Sequence, residues 1–185
     1  MPMDGAQYYQ EFLNGDENAL AQIICVFKDG LILYLNSFVH DISVAEALTE
    51  DTFVKLVLKR PNFSGRASFK TWLYKIGRNI ALDYLRRSKK NEVAIEACYD
   101  LNDDEKDLEH NYIQSESKIL LHRAVKKLKP EYQQVLWLIY FEEFSNKEAA
   151  RILGKTTHNV ETLVYRARNA LKTKLIEEGY DYEKL

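Results

Sequence analysis

Apolar residues recur about every 3.6 positions through most of the chain, and no segment alternates apolar and polar positions for long. This period is that of an amphipathic helix, whereas a half-buried strand would alternate. Only 7 Gly and 3 Pro interrupt 185 residues, so long helices are expected. The pattern predicts an all-α fold with two small helical domains, residues 1–90 and 114–178. An acidic linker, residues 91–113, is predicted between them because it combines little apolar periodicity with a high charge density.

Local signals divide the first domain into helices. Asp16 is expected to cap an apolar-rich helix, and Ser43 with Glu46 has capping-box spacing for the next helix. Pro61 should end that second helix, because proline disfavours helical conformation in the residue before it. The segment PNFSGRAS then forms a loop, and Ser68 begins another helix.

The helix FKTWLYKIGRNIALDYLRRSKK, which starts at Phe69, combines apolar, aromatic and cationic residues. One apolar row recurs at i, i+4, i+7 and i+11 and predicts a core stripe; it consists of Phe69, Leu73, Ile76 and Ile80. Lys75, Arg78 and Arg86 are expected on the opposite side, with Trp72 and Asn79 along the border. Cations that follow phosphates, beside aromatic rings that stack on bases, are typical of single-strand binding. Taken alone, Trp72 is equally consistent with a core position.

Charge is distributed unevenly along the chain. Residues 66–90 contain eight basic residues and one acid, whereas residues 91–113 contain eight acids and one lysine, although the net charge of the chain is only −2. Residues 114–178 again carry an excess of basic residues, twelve against eight acids. Two basic segments separated by an acidic one suggest nucleic-acid contact. Solvated helix faces are the alternative explanation.

A helix-turn-helix is predicted in the second domain. Pro130 suits the first turn of a helix in which Val135, Leu136, Ile139 and Tyr140 recur at helical spacing. Ser145 and Glu148 then form a capping-box signal, Gly154 ends that short helix, and a second helix follows Thr156. The residues expected to be buried are Ala149, Ala150, Ile152 and Leu153 in the short helix, and Val160, Val164, Ala167 and Leu171 in the second. A generic helical hairpin is the alternative.

The second helix of such a pair, here residues 157–176, enters the DNA major groove, where its N-terminal side chains meet base edges. Asn, Arg, Thr and Glu side chains read base edges, and basic side chains suit phosphates. Glu161 is expected to accept a hydrogen bond from cytosine N4 or to exclude other sequences. The residues predicted to contact duplex DNA are Thr157, His158, Asn159, Glu161, Thr162, Tyr165, Arg166 and Arg168.

These blocks, in this order, resemble the extracytoplasmic-function (ECF) group of the sigma-70 family. SGRASFKTWLYKIGRNIALDYLRR is similar to the promoter-melting segment of that group, and AEALTEDTFVKL to its polymerase-binding helix. LKPEYQQVLWLIYFEEFSNKEAARILGKTTHNVETLVYRARNAL resembles its terminal helix-turn-helix domain. The resemblance implies an alternative sigma factor that binds core RNA polymerase and directs it to promoter DNA. It also implies an anti-sigma factor as a further partner.

The resemblance assigns roles to particular residues. Recognition and opening of the −10 element fall to Asn62, Phe63, Lys70, Trp72, Lys75, Arg78, Asn79, Arg86 and Arg87. The helix after Thr156 would read the −35 element. Docking on core polymerase falls to Glu46, Leu48, Glu50, Asp51, Phe53 and Val54.

Other classes of function find less support. The four histidines show no metal-ligand spacing and the seven glycines form no phosphate-binding loop, so neither an enzyme nor a metal or other cofactor is expected. The sequence has no uninterrupted apolar run near the length of about 20 residues that a membrane span needs, so no membrane insertion is expected. The two cysteines lie far apart in the sequence, which suits a reducing cytoplasm. Two alternatives remain: a dimeric helix-turn-helix regulator that binds an operator, and an interaction protein that sequesters another regulator.

Overall fold

The computed structural model describes residues 4–92, 121 and 124–177. Every regular element in these ranges is helical, which confirms the predicted all-α fold. The chain divides into two compact units, Met1–Asp103 and Asp104–Leu185. The boundary between them lies inside the predicted linker. Most of that linker lies outside the described residues, so its limits remain a prediction.

Within residues 4–92, the N-terminal domain is a bundle of four helices. They are α1 (Gly5–Leu13), α2 (Glu17–Val39), α3 (Ile42–Lys59) and α4 (Phe69–Glu92). Helices α2, α3 and α4 pack against one another, and α1 packs on α2 and α4. The sequence did not predict α1, although Asp4 and Gln7 form a complete capping box at its start. The predicted cap of α2 is confirmed, since the Asp16 carboxylate accepts from the backbone N–H of Asn18 at 2.9 Å.

The predicted start of α3 is wrong by two residues. The Asp41 carboxylate, not Ser43, caps the helix and accepts from the backbone N–H of Val44 at 3.0 Å. A carboxylate at this position also complements the partial positive charge of the helix N-terminus, which a serine hydroxyl does less well. The predicted end is confirmed, because α3 stops at Lys59 and Arg60 turns left-handed (φ 40°) directly before Pro61.

The core stripe of α4 differs from the predicted one. Phe69 and Leu73 are buried as expected, but Ile76 and Ile80 are only partly buried. The buried row continues through Gly77 and Ala81 instead. A Cβ atom on Gly77 would lie 3.1 Å from Leu31 Cδ1 and 3.4 Å from Thr52 Oγ1, so α4 approaches α2 and α3 closely here. Small residues permit that approach, and the isoleucines are displaced to the flank.

Helix α2 alone, among the described helices, is long and apolar enough to cross a membrane by length and composition. Its residues Leu31, Ile32, Tyr34 and Leu35 are buried against the rest of the bundle. The C-terminal half of α2 therefore lies in the core of the bundle.

The C-terminal domain contains the predicted helix-turn-helix. Its elements are α5 (Pro130–Leu136), a π-helical turn (Trp137–Phe141), α6 (Asn146–Leu153) and α7 (Thr157–Glu177). Ser145 and Glu148 form the predicted capping box, and Gly154 ends α6 in the left-handed conformation (φ 65°). The four predicted core residues of α6 are buried. Buried Gln133 ties the preceding chain to α5 by donating from Nε2 to the carbonyls of Lys126 and Leu128, at 2.9 and 2.8 Å.

The π-helical turn was not predicted, and it changes which side chains are buried. The backbone N–H of Glu142 donates to the carbonyl of Trp137 at 3.1 Å, five residues back. A wider turn shifts the helical register. Consequently Leu138 is buried, whereas Tyr140, predicted to share the face of Val135 and Leu136, is 49% exposed.

The close approach at Gly77 generates a stability prediction. Gly77→Leu inserts a branched side chain where a single Cβ already meets Leu31 and Thr52, so we expect the free energy of unfolding to fall by at least about 2 kcal/mol. Urea denaturation followed by circular dichroism measures the change. Asp83→Leu, at an exposed position of the same helix, is the control and should change stability by less than about 1 kcal/mol. Equal stability of the two variants would contradict the close packing.

Candidate nucleic-acid interface

Aromatic rings from three helices and one loop meet beside the N-terminal end of α4. The ring of Phe63 in the loop 61–68 lies 5.7 Å from that of Phe69 and 5.3 Å from that of Trp72. Tyr9 of α1 contacts the same two rings at 5.5 and 5.3 Å. Phe27 of α2 approaches Phe69 at 5.7 Å. These rings, together with Phe12, form the aromatic cluster, and Trp72 belongs to it.

The aromatic cluster holds the loop that the sequence assigned to strand opening. The Tyr9 hydroxyl donates to the carbonyl oxygen of Pro61 at 2.8 Å. Arg60, just before the loop, lies over the ring of Phe12 at 5.5 Å. Asn62 is exposed between anchored Pro61 and anchored Phe63. The sequence analysis missed Tyr9 and Phe12, because only contact with a segment about fifty residues away gives them this role.

Several of the predicted cations of α4 form an accessible basic face. Lys75, Arg86 and Arg87 are exposed, as is Asn79 on the same helix. Arg86 pairs with Asp83 one turn earlier, a surface pair of little energetic weight. Lys70 is partly buried and lies 5.6 Å from the centre of the Tyr74 ring. Lys75, Arg86 and Arg87 are therefore the most accessible of the predicted α4 cations.

Arg78 departs from the predicted exposed face. Its side chain is partly buried, and its Nε atom is buried without a hydrogen-bond partner among the described residues. It lies near the buried Tyr34 hydroxyl, which also lacks such a partner. Burial raises the pKa of Tyr34 well above its ordinary value, although the charge of Arg78 acts in the opposite direction. Arg78 is thus partly integrated into the bundle and less available for phosphates than its neighbours.

Helix α7 presents most of its predicted contact residues to solvent. Thr156 caps it, since its hydroxyl accepts from the backbone N–H of Asn159 at 3.2 Å. The exposed predicted residues are Thr157, His158, Asn159, Glu161, Tyr165, Arg166 and Arg168. Thr162 is instead partly buried, and its hydroxyl donates to the carbonyl of His158 at 3.1 Å.

The buried row of α7 is narrower than predicted. Val160 and Ala167 are buried, whereas Val164 and Leu171 are only partly buried. Leu175 is buried further along the helix. The N-terminal half of α7 therefore keeps a broad accessible face.

A separate apolar groove of about 460 Å³ runs between α2 and α3. Its lining residues are Leu20, Ile24, Lys28, Thr49, Glu50, Phe53, Val54, Val57 and Leu58. Val54 is 49% exposed and Leu58 is 73% exposed, and with Val57 they line the same groove. An exposed apolar patch of this kind, unlike a single exposed side chain, is typical of an interaction site. The sequence analysis missed Val57 and Leu58, because a helical pattern does not distinguish an apolar residue in the core from one on a docking surface.

The residues assigned to polymerase docking are distributed between this groove and the core. Glu50 and Val54 line the groove, and Asp51 is exposed beside them. Leu48 is buried in the bundle and is therefore corrected to a core residue. Phe53 is also buried and forms part of the groove floor. The remaining residue, Glu46, is partly buried.

Each of the two domains matches a model of the same protein family. The family model for sigma-70 region 2 matches residues 28–91, and that for sigma-70 region 4 matches residues 118–171. The chain is 33% identical over 177 residues to RNA polymerase sigma factor YlaC of Bacillus subtilis, covering 91% of this chain and 88% of YlaC. It is 30% identical over 156 residues to ECF RNA polymerase sigma factor SigM of the same organism, covering 82% of this chain and 91% of SigM.

A solved structure shares the fold. The sigma factor RpoE of Bartonella quintana, solved in complex with the anti-sigma factor NepR, matches with a TM-score of 0.66 at 24% identity. The match covers 84% of this chain and 95% of RpoE.

The chain belongs to the sigma-70 family, in its extracytoplasmic-function group. It is an alternative RNA polymerase sigma factor, a subunit that binds core RNA polymerase and directs promoter-specific initiation of transcription. Sigma factors are initiation factors and not enzymes. The resemblance to the family is thereby confirmed. This function replaces the two alternatives, a dimeric operator-binding regulator and a protein that sequesters another regulator.

Proposed function

We propose that the N-terminal domain, residues 1–90, captures and holds the opened −10 element, and that the C-terminal domain, residues 114–178, reads the −35 element as duplex. The observation that carries the first role is the exposed Asn62 between two residues anchored by the aromatic cluster, with the accessible cations of α4 in the same domain. Asn62 can hydrogen-bond a base, while Lys75, Arg86 and Arg87 neutralise phosphates.

The cost of opening base pairs and the gain from capturing a base limit how far this surface can open a promoter. Opening duplex DNA costs about 1.4 kcal/mol per base-pair step in stacking. Capture of one base on an aromatic surface returns roughly 1–3 kcal/mol. A single captured base therefore biases the opening of a promoter, and phosphate contacts together with the polymerase must hold the rest.

The duplex-reading role rests on α7. Its exposed N-terminal half offers Asn159, Glu161 and Arg166 for base edges and Arg168 for a phosphate. The capping of α6 and the left-handed Gly154 fix the turn before it. Base readout by α7 requires such a fixed entry angle into the major groove.

The apolar groove of α2 and α3 supports docking on core polymerase. Val54, Val57 and Leu58 offer apolar contact, and Glu50 with Asp51 offers charge at the margin. Protein interfaces combine an apolar centre with a polar rim in this way. The docking set proposed from the sequence therefore loses Leu48 and gains Val57 and Leu58.

An anti-sigma factor is proposed as a further partner. The Bartonella RpoE fold neighbour is solved with one, and a partner that covers the apolar groove would exclude polymerase. Cytoplasmic localisation is part of this proposal, because the chromosomal promoters that the protein would bind lie in the cytoplasm. Pull-down with core polymerase, followed by run-off transcription from genomic fragments, tests the function as a whole.

Removing cations from α4 should lower the affinity for the opened strand and should make that affinity less dependent on salt concentration. For Lys75→Gln combined with Arg87→Gln, the slope of log affinity against log salt should fall by about 1.4, or 0.7 for each phosphate contact on a single strand. Fluorescence anisotropy of a −10 non-template oligonucleotide with holoenzyme measures this slope. Lys59→Gln, an exposed cation on α3, is the control and should retain it. An unchanged slope in the double variant contradicts the proposed phosphate contacts.

Glu161→Ala should relax base preference at one position of the −35 element. The carboxylate can accept from cytosine N4, and a good contact of this kind discriminates by about 1 kcal/mol or more. Loss of a negative charge should also increase affinity for unrelated duplexes. Competition binding with each base at each −35 position measures both effects, with Glu131→Ala as control. If base preference and affinity both stay unchanged, Glu161 does not read DNA.

Charging the groove of α2 and α3 should prevent assembly with polymerase. Val54→Asp combined with Leu58→Asp places two carboxylates on the apolar surface, and we expect affinity for core polymerase to fall at least about tenfold. Analytical size exclusion with core polymerase measures assembly. Val26→Asp is the matched control, because Val26 is 60% exposed on α2 but does not line the groove. Normal assembly of the double variant would place the docking surface elsewhere.

A further inference from the structure

Helix α1 lies outside the residues that match the sigma-70 region 2 family model, which begin at residue 28. Nevertheless, two of its side chains, Tyr9 and Phe12, are buried at 1% and 5% exposure. The first residue of the helix also packs closely against the aromatic cluster. A Cβ atom on Gly5 would collide with the ring of Phe69 and would lie 2.9 Å from Phe27 Cε2. Helix α1 is therefore packed closely on the elements that carry the proposed −10 surface.

Tyr9 contacts the loop 61–68 directly through its hydroxyl and supports it indirectly through its ring. Its hydroxyl donates to the carbonyl of Pro61 at 2.8 Å. Its ring packs on Phe69 and Trp72, the two rings that hold Phe63. One side chain thus acts on the loop both before and after Asn62.

The backbone before the loop offers few other groups for such an anchor. Arg60 leaves α3 in the left-handed conformation (φ 40°), which is uncommon for a residue other than glycine. Pro61 has no backbone N–H with which to anchor itself. At Pro61 the carbonyl is therefore the one backbone group that can form a hydrogen bond, and Tyr9 donates to it. Burial raises the pKa of Tyr9, despite the opposing charge of Arg60, so the hydroxyl stays protonated and can donate at neutral pH.

We propose that Tyr9 is a positioning residue for promoter opening: its hydrogen bond to Pro61 fixes the loop so that Asn62 meets the captured −10 base in one orientation. The inference rests on the proposed role of the N-terminal domain at the −10 element. Preorganising a binding group reduces the ordering cost at the moment of binding, so loss of the anchor lowers both affinity and base selectivity.

Tyr9→Phe isolates the hydroxyl, because the ring that packs on Phe69 and Trp72 remains. For holoenzyme containing this variant, we expect affinity for the −10 non-template strand to fall about fivefold, the value of one ordinary hydrogen bond. Discrimination between the preferred base and its substitutes should narrow at the captured position. Tyr8→Phe is the matched control, since it removes a phenol hydroxyl from the adjacent residue of α1, and it should behave as the wild type.

A double-mutant cycle distinguishes positioning from a general loss of structure. If Tyr9 acts through Asn62, Tyr9→Phe should have little further effect in an Asn62→Ala background, because the side chain to be positioned is absent. The cycle compares holoenzyme containing the wild type, each single variant and the double variant. Anisotropy with −10 oligonucleotides that carry each of the four bases at the captured position gives the affinity of each protein for each base.

The outcomes separate this inference from the proposed function. Wild-type holoenzyme that shows no preference for the −10 strand over a scrambled strand overturns both. A selective wild type with an unaffected Tyr9→Phe variant overturns only the positioning role. The same is true of an equal loss in both backgrounds, which would show that Tyr9 supports the domain without acting through Asn62.

Discussion

The hydroxyl of Tyr9 and the carbonyl of Pro61 lie 2.8 Å apart, and the proposed −10 surface depends on this contact and on the aromatic packing around it. Residues 61–68 contain no helix or strand. Fixing the backbone of each residue costs about 1–2 kcal/mol. Aromatic pairs contribute about 0.5–1.5 kcal/mol each beyond their buried area. The two ring contacts of Phe63 with α4, together with the hydrogen bond from Tyr9, offset part of that entropic cost.

The two domains place different demands on their DNA-facing residues. An unpaired strand is flexible, and for its proposed −10 role the N-terminal domain offers a held loop and cations on one helix. A duplex has fixed grooves, and for its proposed −35 role the C-terminal domain offers one helix with a fixed turn before it. Neither surface needs high affinity alone, because polymerase joins them and raises the effective concentration of the second contact. The exposed carboxylate of Glu161 within α7 fits this proposal, because a negative charge at that place opposes contact with DNA phosphates.

Local signals were sufficient for several elements. The capping box of Ser145 and Glu148 and the left-handed Gly154 depend on residues a few positions apart, and the structure confirms them. Features set by tertiary packing were not predictable in the same way. Sequence period cannot show that α4 approaches its neighbours at Gly77, nor that the chain forms a π-helical turn at Trp137. The role proposed for Tyr9 depends on a partner 52 residues away, so no local pattern contains it.

The position of α1 has a practical consequence for dissecting sigma factors into minimal fragments. Limits drawn from the match to the sigma-70 region 2 family model would begin at residue 28. Such a fragment retains Asn62, Phe63 and every cation of α4, but it lacks Tyr9, Phe12 and even Phe27, one residue upstream of the cut. It would keep all the chemical groups that meet the DNA strand while losing the parts that hold them in place. Binding studies on trimmed domains would then report the composition of the interface and underestimate its selectivity.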